Sequence, residues 1–191
     1  MIEYWWPTEI GYYDNINHNK LNLVNYCHKI KSKTKSGGQE WISNETYNTS
    51  NGMFHIHKDK KFEKINDWVY GAVNDYIVNT KLDFSINHNY IDSWFNIYKK
   101  GDYQDTHNHH NYVISAVYFL KSNSDYSPLT FRPTFLDQLD VGKTKGVNST
   151  NGNVDYKAIP GRLVVFRSFV PHLVGKHKSN KERITLAYNF R

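Results

Sequence analysis

Apolar residues recur along the chain with two different periods. Between Asp14 and the Gly37-Gly38 pair, Leu23, Tyr26, Cys27 and Ile30 fall at helical spacing, which predicts one amphipathic helix. Further on, Phe62, Ile65, Trp68, Val69, Ala72, Val73, Tyr76 and Ile77 make a broad apolar stripe, of the width expected for a helix packed on a sheet. From about Ile91 the period becomes two. Short β-rich runs at residues 91–98, 112–120, 129–131, 163–166 and 183–190, separated by Gly, Pro and Asn, predict strands. Strands that follow one another without intervening helices predict an antiparallel sandwich or barrel, with the two helices against one outer face.

The expected fold is therefore mainly β with N-terminal helices (α+β), a double-stranded β-helix or jelly-roll barrel. Helical support is expected roughly over residues 1–85 and the jelly-roll core roughly over 86–191. At 191 residues the chain can bury one sizeable core and is expected to form a single domain. There is no internal repeat, and loop-like stretches fall at residues 35–39 and 147–153.

Composition refines this picture in a few places. Aromatic residues make up 16% of the chain, and their polar edges favour a fold with an interior pocket. The net charge of +6 would suit an anionic partner, but the lysines are spread along the chain, so nucleic-acid binding is permitted and not indicated. Cys27 is the sole cysteine, which excludes an intramolecular disulfide and any thiolate cluster, and fits a reducing cytoplasm. Residues 1–10 carry no basic leader with an apolar stretch behind it, and no segment has the eighteen or so apolar residues of a membrane span, so a cytoplasmic protein with no membrane partner is expected. The glycosylation-like triplets at Asn44, Asn48 and Asn148 read as chance in an Asn-rich chain. Nothing in the sequence indicates an oligomeric state.

The densest group of metal-capable side chains is His107-Asn108-His109-His110, between Gly101 and the strand near Tyr112. On an extended segment residues i and i+2 point the same way, so His107 and His109 can aim two imidazoles at one ion while His110 points elsewhere. A third ligand has to come from a distant strand, and His172, after the run at 163–166 and the turn-forming Pro171, is placed for it. Three histidines with open positions indicate a transition metal, without choosing among iron, zinc, copper and nickel. His55 and His57 show the same alternation, but no downstream partner stands in a comparable frame, and they are assigned to an ordinary strand or loop. Arg183 opens the last β-rich run. Its guanidinium can pair a carboxylate at two points, and Thr185 on the same strand face can add a hydroxyl, so the two could clamp a dicarboxylic acid.

These motifs, taken in order, resemble a known superfamily. Tyr98-Lys99-Lys100-Gly101-Asp102-Tyr103 followed by His107-Asn108-His109 is similar to the Tyr…Gly…Tyr…His-x-Asp segment of prolyl-hydroxylase-like 2-oxoglutarate oxygenases. The strand 113–120, the stretch 160–166, His172 and Arg183-Ile184-Thr185 resemble their next strand, late strand, third ligand and Arg-x-Ser/Thr. Within that superfamily the chain most resembles oxygenases of marine bacteria and phages that carry His-x-His and an upstream Trp-x-Asn, here Trp94-Phe95-Asn96. The resemblance covers residues 94–190.

What the resemblance implies is a dioxygenase that uses Fe(II), 2-oxoglutarate as co-substrate and O2. It would hydroxylate a prime substrate, a small molecule or a protein side chain, and release succinate and CO2, in the cytoplasm, that of a phage-infected bacterial host included. His107, His109 and His172 would be the metal ligands and catalytic residues, and Arg183, Thr185 and Tyr98 would bind the co-substrate. Two departures stand out. Most of the superfamily has Asp or Glu where His109 stands, so His109 either ligates or yields that position to water. Phe119 replaces a tyrosine that some relatives use on the co-substrate, a role open to Tyr98.

Two rival readings remain. A cupin-like three-histidine metalloenzyme would accommodate His109 but leave Arg183 and Thr185 without a role. A non-catalytic jelly-roll binding or virion-associated module would need no metal.

Overall fold

The computed structural model describes residues 8–15, 20–38, 46–123, 125–133 and 153–191. Residues 1–7, the triplets at Asn44 and Asn148, Gln39, Ser124 and nearly all of the loop-like stretch at 147–153 lie outside the described residues. In chain order the elements are β1 (Ile10–Asp14), α1 (Lys20–Lys31), β2 (Tyr47–Asn48), α2 (Glu63–Asn79), β3 (Asp92–Tyr98), β4 (Gln104–His107), β5 (Ile114–Lys121), β6 (Leu129–Phe131), β7 (Val154–Tyr156), β8 (Arg162–Arg167), β9 (His172–Val174) and β10 (Arg183–Phe190).

The strands form two antiparallel sheets, a six-stranded one in the order β1-β8-β5-β10-β3-β2 and a four-stranded one in the order β4-β9-β6-β7. The expected closed barrel is corrected on this point: among the described residues the two sheets are separate ladders and no strand pairing joins them. The N-terminal part is also not purely helical, because β1 pairs with β8 and β2 with β3. Gly11 lets β1 approach α2 closely, since a Cβ there would stand 3.0 Å from the Tyr76 ring.

Strand alternation sends side chains of the large sheet to two buried regions. Phe95 and Ile97 of β3, Ala116, Tyr118 and Leu120 of β5, Leu163 and Val165 of β8, and Ile184, Leu186, Tyr188 and Phe190 of β10 pack with Leu23, Cys27 and Ile30 of α1 and with Ile65, Val69, Val73 and Tyr76 of α2. The other set, including Tyr98, Phe119, Val164 and Phe166, packs with Leu129, Phe131 and Val174 of the small sheet. Because both faces are covered, β10 is buried at every position. Burial on two sides explains why its apolar pattern reads as a near-continuous run.

One polar tie crosses the helix-sheet core. Buried Asn66 of α2 donates to the Ile56 carbonyl at 3.1 Å and accepts from the Tyr188 hydroxyl at 3.0 Å. Asn66→Ala strands both partners inside the core and is expected to cost about 1–3 kcal/mol of stability, measured by urea denaturation. A cost below a few tenths would show that those groups find other partners.

Candidate metal centre and anion pocket

His107 ends β4, and its register partner across the small sheet is His172, the first residue of β9. Directly opposed residues of an antiparallel pair bring their side chains together. The two rings lie 4.2 Å apart between centroids. The ladder is shifted between Gln104 and His107, so the irregularity in β4 sets which side chain faces His172. His109 lies just beyond the strand, where its backbone N–H donates to the Ser168 carbonyl at 2.9 Å. Its ring is 5.2 Å from both His107 and His172.

One ligand atom from each of these three histidines lies within 4.8 Å of the other two, the group of metal-capable side chains found among the described residues. Nitrogens sharing an ion at the usual ~2.1 Å would be roughly 3–4 Å apart, so small side-chain movements close the triad on a cation. Ring orientation is fixed from behind. His107 Nδ1 meets the Asp105 carbonyl at 2.8 Å and His172 Nδ1 meets the Val170 carbonyl at 3.0 Å. A carbonyl only accepts, so Nδ1 carries the proton in both rings and Nε2 is left with its lone pair, the arrangement a metal needs.

Burial holds all three imidazoles neutral. It lowers His107 to about 4, and it lowers His109 to about 3 with help from the charges of His107 and His110. His172, 3% exposed, is pushed well below the ordinary histidine value by burial and by its two neighbours. The consequence for stability has a definite sign. Below pH 6.5 the unfolded chain takes up protons that the folded histidines refuse, so stability present above that pH is lost as pH falls toward 4. The metal-free protein should melt at progressively lower temperature between pH 7 and pH 4.5, and His109→Ala should flatten the slope. A wild-type melting temperature independent of pH over that range would contradict the burial of these rings.

Arg183 is wholly buried. It stands on β10 opposite Tyr98 of β3, with its guanidinium over the Tyr98 ring at 5.2 Å and the Phe119 ring at 5.1 Å. Nη1 donates to the Ser127 carbonyl, whereas Nε and Nη2 have no partner among the described residues. Burial pulls its pKa down to about 10, partly offset by Tyr98, so the group is still a cation at neutral pH. The Tyr98 hydroxyl is bonded to Thr185, and burial raises it to about 12. Thr185 also accepts from the Asn96 amide at 3.3 Å.

One cavity is lined by the three histidines together with Tyr98, Arg183 and Thr185. Its remaining lining among the described residues is Trp94, Asn96, Gln104 and Ala187 with apolar Val117, Leu129 and Val174, and none of these is a carboxylate. One buried cation and neutral imidazoles, with no acid among the described lining residues, favour an anionic guest.

The six residues singled out in the sequence thus line one cavity. Trp94 and Asn96, noted there only as part of a resemblance, also line it. The turn carrying Ser168, which sequence reasoning missed, bonds through its hydroxyl to Ser115 at 2.7 Å and through its carbonyl to His109. Only the polar residues within the strand pattern, Ser115 and Asn189, signalled this tie. Gly101, at φ 99°, makes the turn after β3 whose N–H donates to the His177 carbonyl at 2.7 Å, tying the approach to β4 to the loop before β10. His55 and His57 lie elsewhere, at the N-cap and within a short 3-10 turn over Ile56–Lys58, with His57 bonded to Ser93 at 2.8 Å and His55 3.6 Å from Asp92. Among the described residues no third ligand joins that pair.

Residues 92–189, just over half of the chain, match the sequence model of a family described as "Putative 2OG-Fe(II) oxygenase". No curated protein matches the sequence significantly. Solved structures share the fold. A prolyl-4-hydroxylase of Pseudomonas putida superposes with a TM-score of 0.63 at 17% identity, covering 95% of this chain and 91% of that one. A viral collagen prolyl hydroxylase of Paramecium Bursaria Chlorella virus-1, solved with 2OG, gives 0.56 at 13% identity, covering 94% of each chain. A non-heme alpha-ketoglutarate-dependent carbocyclase from nogalamycin biosynthesis gives 0.65 at 8% identity, covering 96% of this chain and 79% of that one. Among the described residues no helix is long and apolar enough to cross a membrane.

Proposed function

Because the chain belongs to the 2OG-Fe(II) oxygenase family, we propose that its cavity binds iron(II) on His107, His109 and His172, holds 2-oxoglutarate against Arg183, and oxidises a further substrate, with hydroxylation as the outcome. The observation that carries this reading is Arg183. A fully buried guanidinium keeps two donors unpartnered in the cavity of the histidine triad. Unmatched buried donors cost about 1–3 kcal/mol each, a cost that a bound carboxylate removes.

The donor set fits the group the family implies. Imidazole suits iron(II), and three neutral ligands leave the ion's full charge to be matched by an anionic co-substrate. When bound, iron and 2-oxoglutarate supply the oxidising power: the oxo acid loses CO2 to leave succinate, and oxygen from O2 passes to the prime substrate. The remaining work belongs to the chain. The Nδ1 bonds to Asp105 and Val170 carbonyls keep two imidazoles aimed inward. Arg183 pairs the distal carboxylate, the Thr185 hydroxyl adds a donor on the same strand face, and the Tyr98 and Phe119 rings hold the guanidinium in one orientation. Val117, Leu129 and Val174 keep water from the walls.

His109 itself favours one comparison with a three-histidine enzyme whose substrate alone chelates the metal. Arg183 and Thr185 have no task there, so the 2-oxoglutarate reading is preferred. The test is succinate formation from 2-oxoglutarate with iron(II) and O2, assayed alone and with amino acids, peptides and oligonucleotides. Succinate that requires the metal supports the reading; an iron-loaded protein that neither forms succinate nor binds 2-oxoglutarate overturns it.

A further inference from the structure

Trp94 is 5% exposed, yet its indole nitrogen has no hydrogen-bond partner among the described residues. Buried indole N–H groups ordinarily find an acceptor, and this nitrogen can only donate. Its surroundings explain why none is at hand among the described residues. Trp94 lies on the cavity face of β3, opposite Ala187 of β10, whose methyl group offers no acceptor and leaves space beside the ring. The indole also stands against His109, edge to face at 5.9 Å between centroids.

Arg183 shows the same condition in the same cavity, two unpartnered donors on a buried side chain. The two groups occupy opposite ends of one row. Trp94, Asn96 and Tyr98 alternate along β3 on the cavity face, and Tyr98 is the register partner and stacking surface of Arg183. One end of the row therefore meets the guanidinium and the other meets His109. Donors left unsatisfied at both ends match a guest with oxygen acceptors at both ends.

We propose that the Trp94 indole N–H donates a hydrogen bond to the 2-oxo-acid end of the bound co-substrate, the end beside His109, so that the molecule is gripped by Arg183 at one end and by Trp94 at the other. The inference rests on the 2-oxoglutarate reading and adds to it a binding residue at the metal end. It also gives the cavity a preference: an acid lacking acceptors at the His109 end leaves the indole unsatisfied and binds less well.

The indole N–H signals of the five tryptophans, followed by NMR in zinc-loaded protein as 2-oxoglutarate is added, test this without turnover. Trp94→Phe identifies the Trp94 signal by its disappearance, and Trp94→Leu serves if the phenylalanine variant does not fold. The Trp94 signal should shift more than the other four. Either variant should bind 2-oxoglutarate about tenfold more weakly than wild type, the loss expected for one hydrogen bond to a charged group. An unmoved Trp94 signal while 2-oxoglutarate binds, or unchanged affinity in the variants, overturns the proposal and leaves the co-substrate reading intact. A wild-type protein that binds no 2-oxoglutarate overturns both.

Discussion

Arg183→Met is expected to remove 2-oxoglutarate binding while leaving the empty protein at least as stable as before. The guanidinium is fully buried, stacked between Tyr98 and Phe119, with one nitrogen bonded to the Ser127 carbonyl and two without partners. In the absence of an acid this is an expensive group to keep out of water, and methionine fills similar space without the charge. Losing the Ser127 bond works in the opposite direction by about 1 kcal/mol, so the net change in melting temperature should lie between zero and a rise of about 4 °C. Affinity for 2-oxoglutarate should fall by about two to three orders of magnitude, since the truncation removes the charged partner of a desolvated carboxylate. Calorimetric titration and thermal melts check the two halves separately. A variant that melts far below wild type would mean that Arg183 serves the fold and not a ligand.

His172→Ala carries the second large effect. His172 is the most buried of the three imidazoles and the one whose strand partner is His107, so removing it leaves two ligands and an opening at the cavity floor. Metal affinity should drop by at least about a hundredfold, the scale seen when ligand geometry is disturbed, and succinate formation should vanish with it. The fold should survive. His172 packs against Phe166 at 4.7 Å and Phe131 at 6.1 Å, and their contact with each other at 4.8 Å remains. A cavity cost of about 2 kcal/mol is expected. Bound metal measured after dialysis, together with a melt, checks both statements. Retention of a stoichiometric ion in this variant would place the metal elsewhere.

The parts legible in the sequence are those where one strong physical signal acts alone. Both helices were visible because their apolar stripes face a single sheet, as the packing of Leu23, Cys27, Ile65 and Val69 shows. The long strands of the large sheet were visible through their β-branched and aromatic content. Arg183 and Thr185 on one face followed from the two-residue period, which β10 keeps. The small sheet was mostly invisible. β4 reads Gln-Asp-Thr-His and β7 and β9 are three residues each, too short for any period to emerge, and β4 and β9 turn polar residues toward the cavity they line. β1 and β2 were missed for a related reason, being short segments whose pairing is decided by distant partners. The site shows the same division. That His107 and His172 could share an ion was a statement about residue types, whereas their direct opposition depends on a ladder irregularity that no local pattern announces. The orphaned donors of Arg183 and Trp94 exist only after folding, since they are defined by what fails to lie beside them.

The most direct test of the whole account is a crystal structure of the zinc-loaded protein with 2-oxoglutarate. One ion should sit on Nε2 of His107 and His172 and on the ring of His109, with the distal carboxylate paired to the free nitrogens of Arg183. An ion held outside the triad, or an acid bound away from a guanidinium that stays unpaired, would contradict it.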